Sequence, residues 1–183
     1  MQVKIVIPDK VSLFFCRSRQ KIIIKGPANS LVCSLSNNYK VRRSNYNEVV
    51  IFPESKALSK KKVLSYLNTM TSVLKRLIKD SFVKSCVRLR LVGVGYKARI
   101  FLQDSSEYLE LKLGFSHKLY VKIPDNVDVK IHKSNKIFIF GNSYVVTTQL
   151  AAMLKSLKMP EPYKGKGILM HNEVIKKKIG KKI

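Results

Sequence analysis

Hydrophobic and polar positions change period several times along the 183-residue chain, and each change predicts an element. Val3, Ile5 and Ile7 alternate imperfectly with Gln2, Lys4 and Val6, which predicts a strand buried on more than one face and ended by Pro8. Lys21-Ile22-Ile23-Ile24-Lys25-Gly26 predicts another strand. From Ser59 to Lys79, Val63, Leu64, Leu67, Met70, Leu74, Leu77 and Ile78 recur three and four apart, one apolar stripe of an amphipathic helix. Lys61, Lys62, Lys75, Arg76 and Lys79 fall mostly on the opposite face. A second helix is expected from Ser143 to Leu157, with Asn142 or Ser143 as N-cap. Its stripe is Val146, Leu150, Met153, Leu154 and Leu157. Thr147, Thr148, Ala151 and Ala152 form an uncharged opposite face, so this helix is expected to pack on a sheet. Between the helices Val87-Arg88-Leu89-Arg90-Leu91 alternates strictly, one face apolar and one carrying arginines. Gly93-Val94-Gly95-Tyr96 then leads into Lys97, Arg99 and Phe101. A turn at Gln103–Glu107 returns the chain through Tyr108, Leu109, Leu111 and Leu113.

An internal echo organises these elements. Ile7-Pro8-Asp9-Lys10-Val11 returns as Ile123-Pro124-Asp125-Asn126-Val127, and Lys21–Gly26 returns as Lys136-Ile137-Phe138-Ile139-Phe140-Gly141, at offsets of 116 and 115. Each unit reads as strand, turn, strand, followed later by a helix. The expected fold class is α+β: two tandem duplicated modules, each a small mostly antiparallel sheet packed on one helix, plus a basic extended C-terminal tail. The expected boundaries are 1–82, 83–159 and 160–183. Met159-Pro160-Glu161-Pro162-Tyr163-Lys164-Gly165-Lys166-Gly167 cannot be helical, with two prolines and two glycines in nine residues.

Charge changes the picture most. The chain holds 36 Lys+Arg against 11 Asp+Glu, net +25. Residues 1–80 carry 16 basic and 4 acidic side chains, residues 81–183 carry 20 and 7, so the charge is no tail effect. With 45% hydrophobic residues the chain folds, and its self-repulsion calls for a polyanion. Two basic modules favour RNA packed around a protein. A basic peripheral membrane- or DNA-binding protein is the alternative, and would want its charge on one face or a helix-turn-helix. Asp104, Glu107 and Glu110 cluster near a hairpin tip and are expected to point away from RNA.

Catalytic and cofactor chemistry finds no foothold. Cys16, Cys33 and Cys86 form no C-x-x-C pair and read as small buried hydrophobes of a reducing compartment. His117, His132 and His171 lack helical metal spacing. Gly93-Val94-Gly95 lacks the third glycine of a dinucleotide loop, Ala98 standing there, and the sequence holds no phosphate-binding G-x-x-x-x-G-K-[ST]. No cofactor, no metal and no enzymatic activity are expected. The longest uncharged run, Ile137–Leu154, has 18 residues but is interrupted by Gly141, Asn142, Ser143, Thr147, Thr148 and Gln149, so no membrane span is expected.

Three runs stand in one order: Leu91-Val92-Gly93-Val94-Gly95-Tyr96-Lys97-Ala98, Leu113-Gly114-Phe115-Ser116-His117, and Pro160-Glu161-Pro162-Tyr163-Lys164-Gly165-Lys166-Gly167. Together they resemble large-subunit ribosomal protein six, the universal L-six family, in its bacterial and organellar form. The match covers about Leu89 to the C-terminus, and Glu173-Val174 with the Lys-rich end looks like the family's tail. The resemblance implies a two-module protein that binds large-subunit rRNA at the base of the sarcin–ricin region, beside the factor site. It also implies neighbouring large-subunit proteins near the stalk base and translation factors met only indirectly. Lys118 replaces the proline usual after the Gly-Phe-Ser-His run, and residues 27–56 look lengthened or divergent.

The residues expected to contact rRNA are Tyr96, Lys97, Arg99, Ser116, His117, Lys118, Tyr163, Lys164, Gly165, Lys166, Gly167, Lys176, Lys177 and Lys178. Glycines let backbone approach sugar–phosphate, lysines supply point charge, and Tyr163 or His117 offers a ring. Phe115 could stack or pack, with the core its more usual place. Lysine outnumbers arginine 28 to 8 and tryptophan is absent, as AT-rich coding writes. With bacterial-type motifs and a strand expected right after Met1 in place of a presequence, an organelle-encoded mitochondrial protein is expected. A bacterial cytoplasm or a plastid is the alternative.

Overall fold

The computed structural model describes residues 3–16, 18, 20–34, 39–45, 48–53 and 60–180. They fall into two compact units, Met1–Lys84 and Ser85–Ile183. The first holds β1 (Val3–Val6), β2 (Ser12–Cys16), β3 (Lys21–Lys25), β4 (Ser30–Ser34), β5 (Tyr39–Asn45), β6 (Glu48–Pro53) and α1 (Lys60–Phe82). Its strands pair antiparallel as two sheets, β1-β6-β5 and β2-β3-β4. The second holds β7 (Ser85–Val92), β8 (Lys97–Gln103), β9 (Ser106–Lys112), β10 (Leu119–Lys122), β11 (Val127–His132), β12 (Lys136–Gly141), α2 (Tyr144–Leu157) and β13 (Gly167–Met170). Its sheets are β10-β9-β8 and β11-β12-β7-β13.

The fold is α+β and duplicated, with two small sheets per unit where one was expected. Shifting the strand number by six maps β1-β6-β5 onto β7-β12-β11 and β2-β3-β4 onto β8-β9-β10. The starts of β1 and β7 are 82 residues apart, and those of β6 and β12 are 88 apart. The echo at 115 and 116 is therefore out of register with the duplication. It equates β3 with β12, which belong to different sheets of their units. Both are central strands with a neighbour on either side, and both point two fully buried isoleucines inward, Ile22 and Ile24 in one, Ile137 and Ile139 in the other. The Ile-Pro-Asp turns are alike for a similar reason. Each carries the chain from one sheet of its unit to the other, with Val11 N–H bonded to Pro8 O and Val127 N–H to Pro124 O, both at 3.0 Å.

In the true register the described part of residues 27–56 holds β4, β5 and β6, counterparts of β10, β11 and β12. The helix start expected at Ser59, and Lys181–Ile183, lie outside the described residues.

Each unit has its own core. The first joins Ile5, Ile22, Ile24, Val49 and Ile51 to Leu67, Leu74 and Ile78 of α1. The second joins Leu89, Leu91, Leu109, Leu111, Ile137, Ile139 and Ile168 to Leu150 and Leu154 of α2. Two stripe residues do not follow the helical pattern inward: Leu64 and Met153 are exposed. Thr147 and Ala151, expected on the outer face of α2, are fully buried. Thr147 tolerates this because its hydroxyl stands 2.6 Å from Ser85 Oγ and donates to Ser143 O at 2.7 Å. Ser143 is the N-cap, without a side-chain cap bond. The C-terminal segment is no separate appendage: β13 pairs with β7, and its Ile168 and Leu169 are buried. Among the described residues no helix is long and apolar enough to cross a membrane.

Candidate nucleic-acid interface

The β7–β8 corner is made by Gly93–Tyr96, where Gly95 takes φ +75°, a left-handed turn that favours glycine. Tyr96 N–H bonds to Gly93 O at 3.3 Å. The half-buried Tyr96 ring lies against Gly93 and also against Gly114, where a Cβ would stand 3.1 Å from it. Two runs about twenty residues apart are thus locked together by one ring seated on two glycines.

From Gly114 the chain exposes Phe115, Ser116, His117 and Lys118. Phe115 is not in the core. Its ring stacks on His117, centroids 5.9 Å apart and planes at 16°, and Lys158 Nζ stands 4.3 Å from the Phe115 centroid. Lys118 makes an ion pair with Glu110 at 3.0 Å. Glu110 is also the cross-strand partner of Arg99. That acid sits among the cations, whereas Asp104 and Glu107 are exposed at the tip of the β8–β9 hairpin.

Lys158 opens the Pro/Gly/Lys loop, which is closed by its own backbone. Ile168 N–H bonds to Lys158 O at 2.9 Å, Glu161 N–H to Lys166 O at 2.9 Å, and Gly165 N–H to Glu161 O at 3.0 Å. Gly165 has φ +70°. Gly167 is pressed so tightly on Pro160 that a Cβ would fall 2.6 Å from Pro160 Cα. Both glycines are buried, so they shape the loop, and Tyr163 and Lys164 form its exposed rim, with Lys166 half-buried.

The tail folds back onto this loop. Lys178 N–H bonds to Pro162 O at 2.9 Å, and the Lys177 stem passes over Gly165. Glu173 fixes the fold-back, taking Lys155 Nζ at 2.7 Å and Met170 N–H at 3.1 Å. These two donors hold its carboxyl below the usual carboxylate range. Lys176, Lys177 and Lys178 are exposed.

A third basic feature was not singled out in the sequence. Arg90, Lys97, Lys133, Ser134 and Asn135 line an open cleft of about 680 Å³ between the β7–β8 corner and the β11–β12 turn. The turn is fastened there by Leu91 N–H to Asn135 O at 2.7 Å and Ala98 N–H to Ser134 O at 2.8 Å. Asn135 Oδ1 is buried with no hydrogen-bond partner. The outward arginine of an alternating strand was visible in the sequence; its meeting with Lys133, 43 residues on, was not.

The cysteines depart from expectation. Cys86 is exposed, on the outer face of β7, and Cys16 and Cys33 are half-buried. Burial raises the Cys33 thiol. Among the described residues, no three His, Cys, Asp or Glu side chains stand together as a metal site.

A family profile described as "Ribosomal protein L6" matches residues 92–170. The chain is 33% identical to large ribosomal subunit protein uL6 of Borrelia garinii subsp. bavariensis over 98% of its own length and 94% of the relative's. It is 36% identical to uL6 of Chloroherpeton thalassium, over 88% and 86%. It is 32% identical to large ribosomal subunit protein uL6c of Guillardia theta, over 89% and 87%.

Proposed function

Because the chain belongs to the ribosomal protein L6 family, we propose that its second unit binds large-subunit rRNA at the base of the sarcin–ricin region, beside the factor site and near the stalk base. The protein is a structural constituent of the large ribosomal subunit and not an enzyme.

One observation carries it: three runs far apart in sequence form a single chain of contacts. Tyr96 rests on Gly114; Phe115 stacks on His117 and under Lys158; Lys158 closes the loop at Ile168; Lys178 returns to Pro162. Lys97, Lys158, Lys164, Lys166 and Lys176–Lys178 then offer cations around one ordered surface. Cations so placed neutralise phosphates and release counterions. A rigid backbone-lined surface suits RNA, which is recognised largely through shape and sugar–phosphate. Lys118 is paired with Glu110 and contributes less. Neighbouring large-subunit proteins cover part of the remaining surface, and translation factors are met only indirectly.

Crosslinking of intact large subunits, with peptides mapped, tests this. Crosslinks from residues 158–178 to the stem of the sarcin–ricin region are expected. Crosslinks to rRNA solely from the first unit would contradict it.

The ribosome served is proposed to be mitochondrial, on the lysine-over-arginine bias of AT-rich coding. The bacterial relatives and uL6c favour a second reading, a bacterial cytoplasm or a plastid. Finding the coding sequence on a bacterial chromosome or plastid genome would decide for it.

A further inference from the structure

We propose that the outer face of the β11-β12-β7-β13 sheet is a second RNA surface, one that stacks unpaired bases on Phe138 and Phe140. It rests on the reading that RNA is the partner, and it concerns residues outside the loop, tail and corner described above.

Strand β12 alternates cleanly. Ile137 and Ile139 are fully buried in the core, while Phe138 and Phe140 point the other way, half-buried and outside the core cluster. The outer face of an antiparallel sheet is ordinarily polar. Here its central strand carries two phenyl rings with centroids 6.4 Å apart and planes at 10°. Cations flank them on both sides. Arg88 is the cross-strand partner of Phe138, its guanidinium 5.7 Å from the ring centroid. Lys130, across from Phe138 on β11, reaches to 6.0 Å from the Phe140 centroid. One step along, Arg90 and Lys136 face each other, and His132 stands opposite Lys136. Asp128, opposite Phe140, is the acid on this face of β11.

Parallel rings with interleaved cations are what unpaired bases require. Rings supply sequence-tolerant stacking, and cations pair with the phosphates that follow. Arg88 adds a second flat stacking partner, so a base beside Phe138 is held by ring and guanidinium together. The charge complements a polyanion and not a neutral protein groove lined with apolar residues. The face is also continuous with the cleft, since Arg90 belongs to both, which gives a strand leaving the rings a basic path toward Lys97 and Lys133.

The test uses the full chain and two probes, an unstructured single-stranded RNA oligonucleotide and an rRNA fragment containing the sarcin–ricin stem. The double variant Phe138→Leu/Phe140→Leu removes the rings and keeps apolar bulk. It is expected to bind the oligonucleotide about tenfold or more weakly. In the unsubstituted chain, 4-thiouridine in the oligonucleotide is expected to crosslink within residues 136–141, a readout no folding defect can mimic. Unchanged oligonucleotide affinity in the variant overturns the inference, as do crosslinks confined to other segments. So does a variant that loses only a protein neighbour while keeping its RNA affinity. A separate arm replaces Lys164, Lys166, Lys176, Lys177 and Lys178 by Gln. If that weakens fragment binding while the Leu pair changes nothing, this inference fails and the proposed function stands. If the Leu pair weakens the oligonucleotide while the Gln set leaves the fragment untouched, the inference stands and the proposed site fails.

Discussion

Lys155 Nζ donates to Glu173 Oε1 at 2.7 Å, and the other oxygen of that carboxylate accepts Met170 N–H at 3.1 Å. A cation in the last turn of α2 thus holds the start of the tail, five residues before Lys178 returns to Pro162. The carboxyl is lowered in the folded state by these same donors. A group lowered on folding stabilises fully above the ordinary carboxylate range, and the contribution is lost as pH falls through the lowered value. Both side chains are partly solvated, so the anchor is worth about 1 kcal/mol or less. Glu173→Gln is expected to raise hydrogen exchange at the Lys178 amide several-fold at neutral pH. Acidification through the lowered range should likewise reduce the protection factor of that amide in the unsubstituted chain, each rate being referred to the intrinsic rate at its pH, and have little further effect on the variant. Equal exchange in both at neutral pH would show the tail is held otherwise.

Gly167→Ala places a methyl 2.6 Å from backbone Pro160 Cα, where no flexible side-chain end can yield. The loop must open or the β13–β7 pairing must shift. A loss of about 2 kcal/mol or more, seen as a melting temperature lowered by several degrees, is expected. Gly180→Ala meets no atom within 4 Å and should melt like the unsubstituted chain.

Alternation and helical spacing made β1, β3, β7, β8, β9, β12 and both helices legible, because a residue's burial there depends on its own element. The arginines of β7 face outward as their pattern requires, and α1 runs to Phe82, three residues past the expected end. What failed depends on neighbours. Ile22 and Ile137 look alike because each sits on a central strand, so likeness of environment imitated descent at an offset of 115, against the 82 and 88 that separate the true counterparts. Phe115 carries no local mark of its partners His117 and Lys158, the second of which lies 43 residues away. Residues 160–183 read as an extension because Pro and Gly mark loops. Yet Ile168 and Leu169 complete a sheet edge, and deleting the whole segment would damage the core along with any RNA contact.

Lys118 and Lys164 separate charge from availability. Lys118 is paired with Glu110, and Lys164 stands exposed on the loop rim. Lys164→Ala is expected to weaken binding of the rRNA fragment several-fold and to lower the salt slope by about one. Lys118→Ala should have the smaller effect on both, measured by fluorescence anisotropy across a salt series. A larger effect at Lys118 would mean that RNA displaces Glu110.

The most direct test is the salt dependence of rRNA-fragment binding for the full chain and for the variant with Lys164, Lys166, Lys176, Lys177 and Lys178 all replaced by Gln. With about six to ten phosphate contacts, the unsubstituted chain should lose about 10³–10⁵-fold in affinity between 50 and 200 mM salt. The variant should bind far more weakly at low salt, with a slope shallower by about three to five. An unchanged affinity and slope would contradict the placement of the RNA on the loop and tail of the second unit.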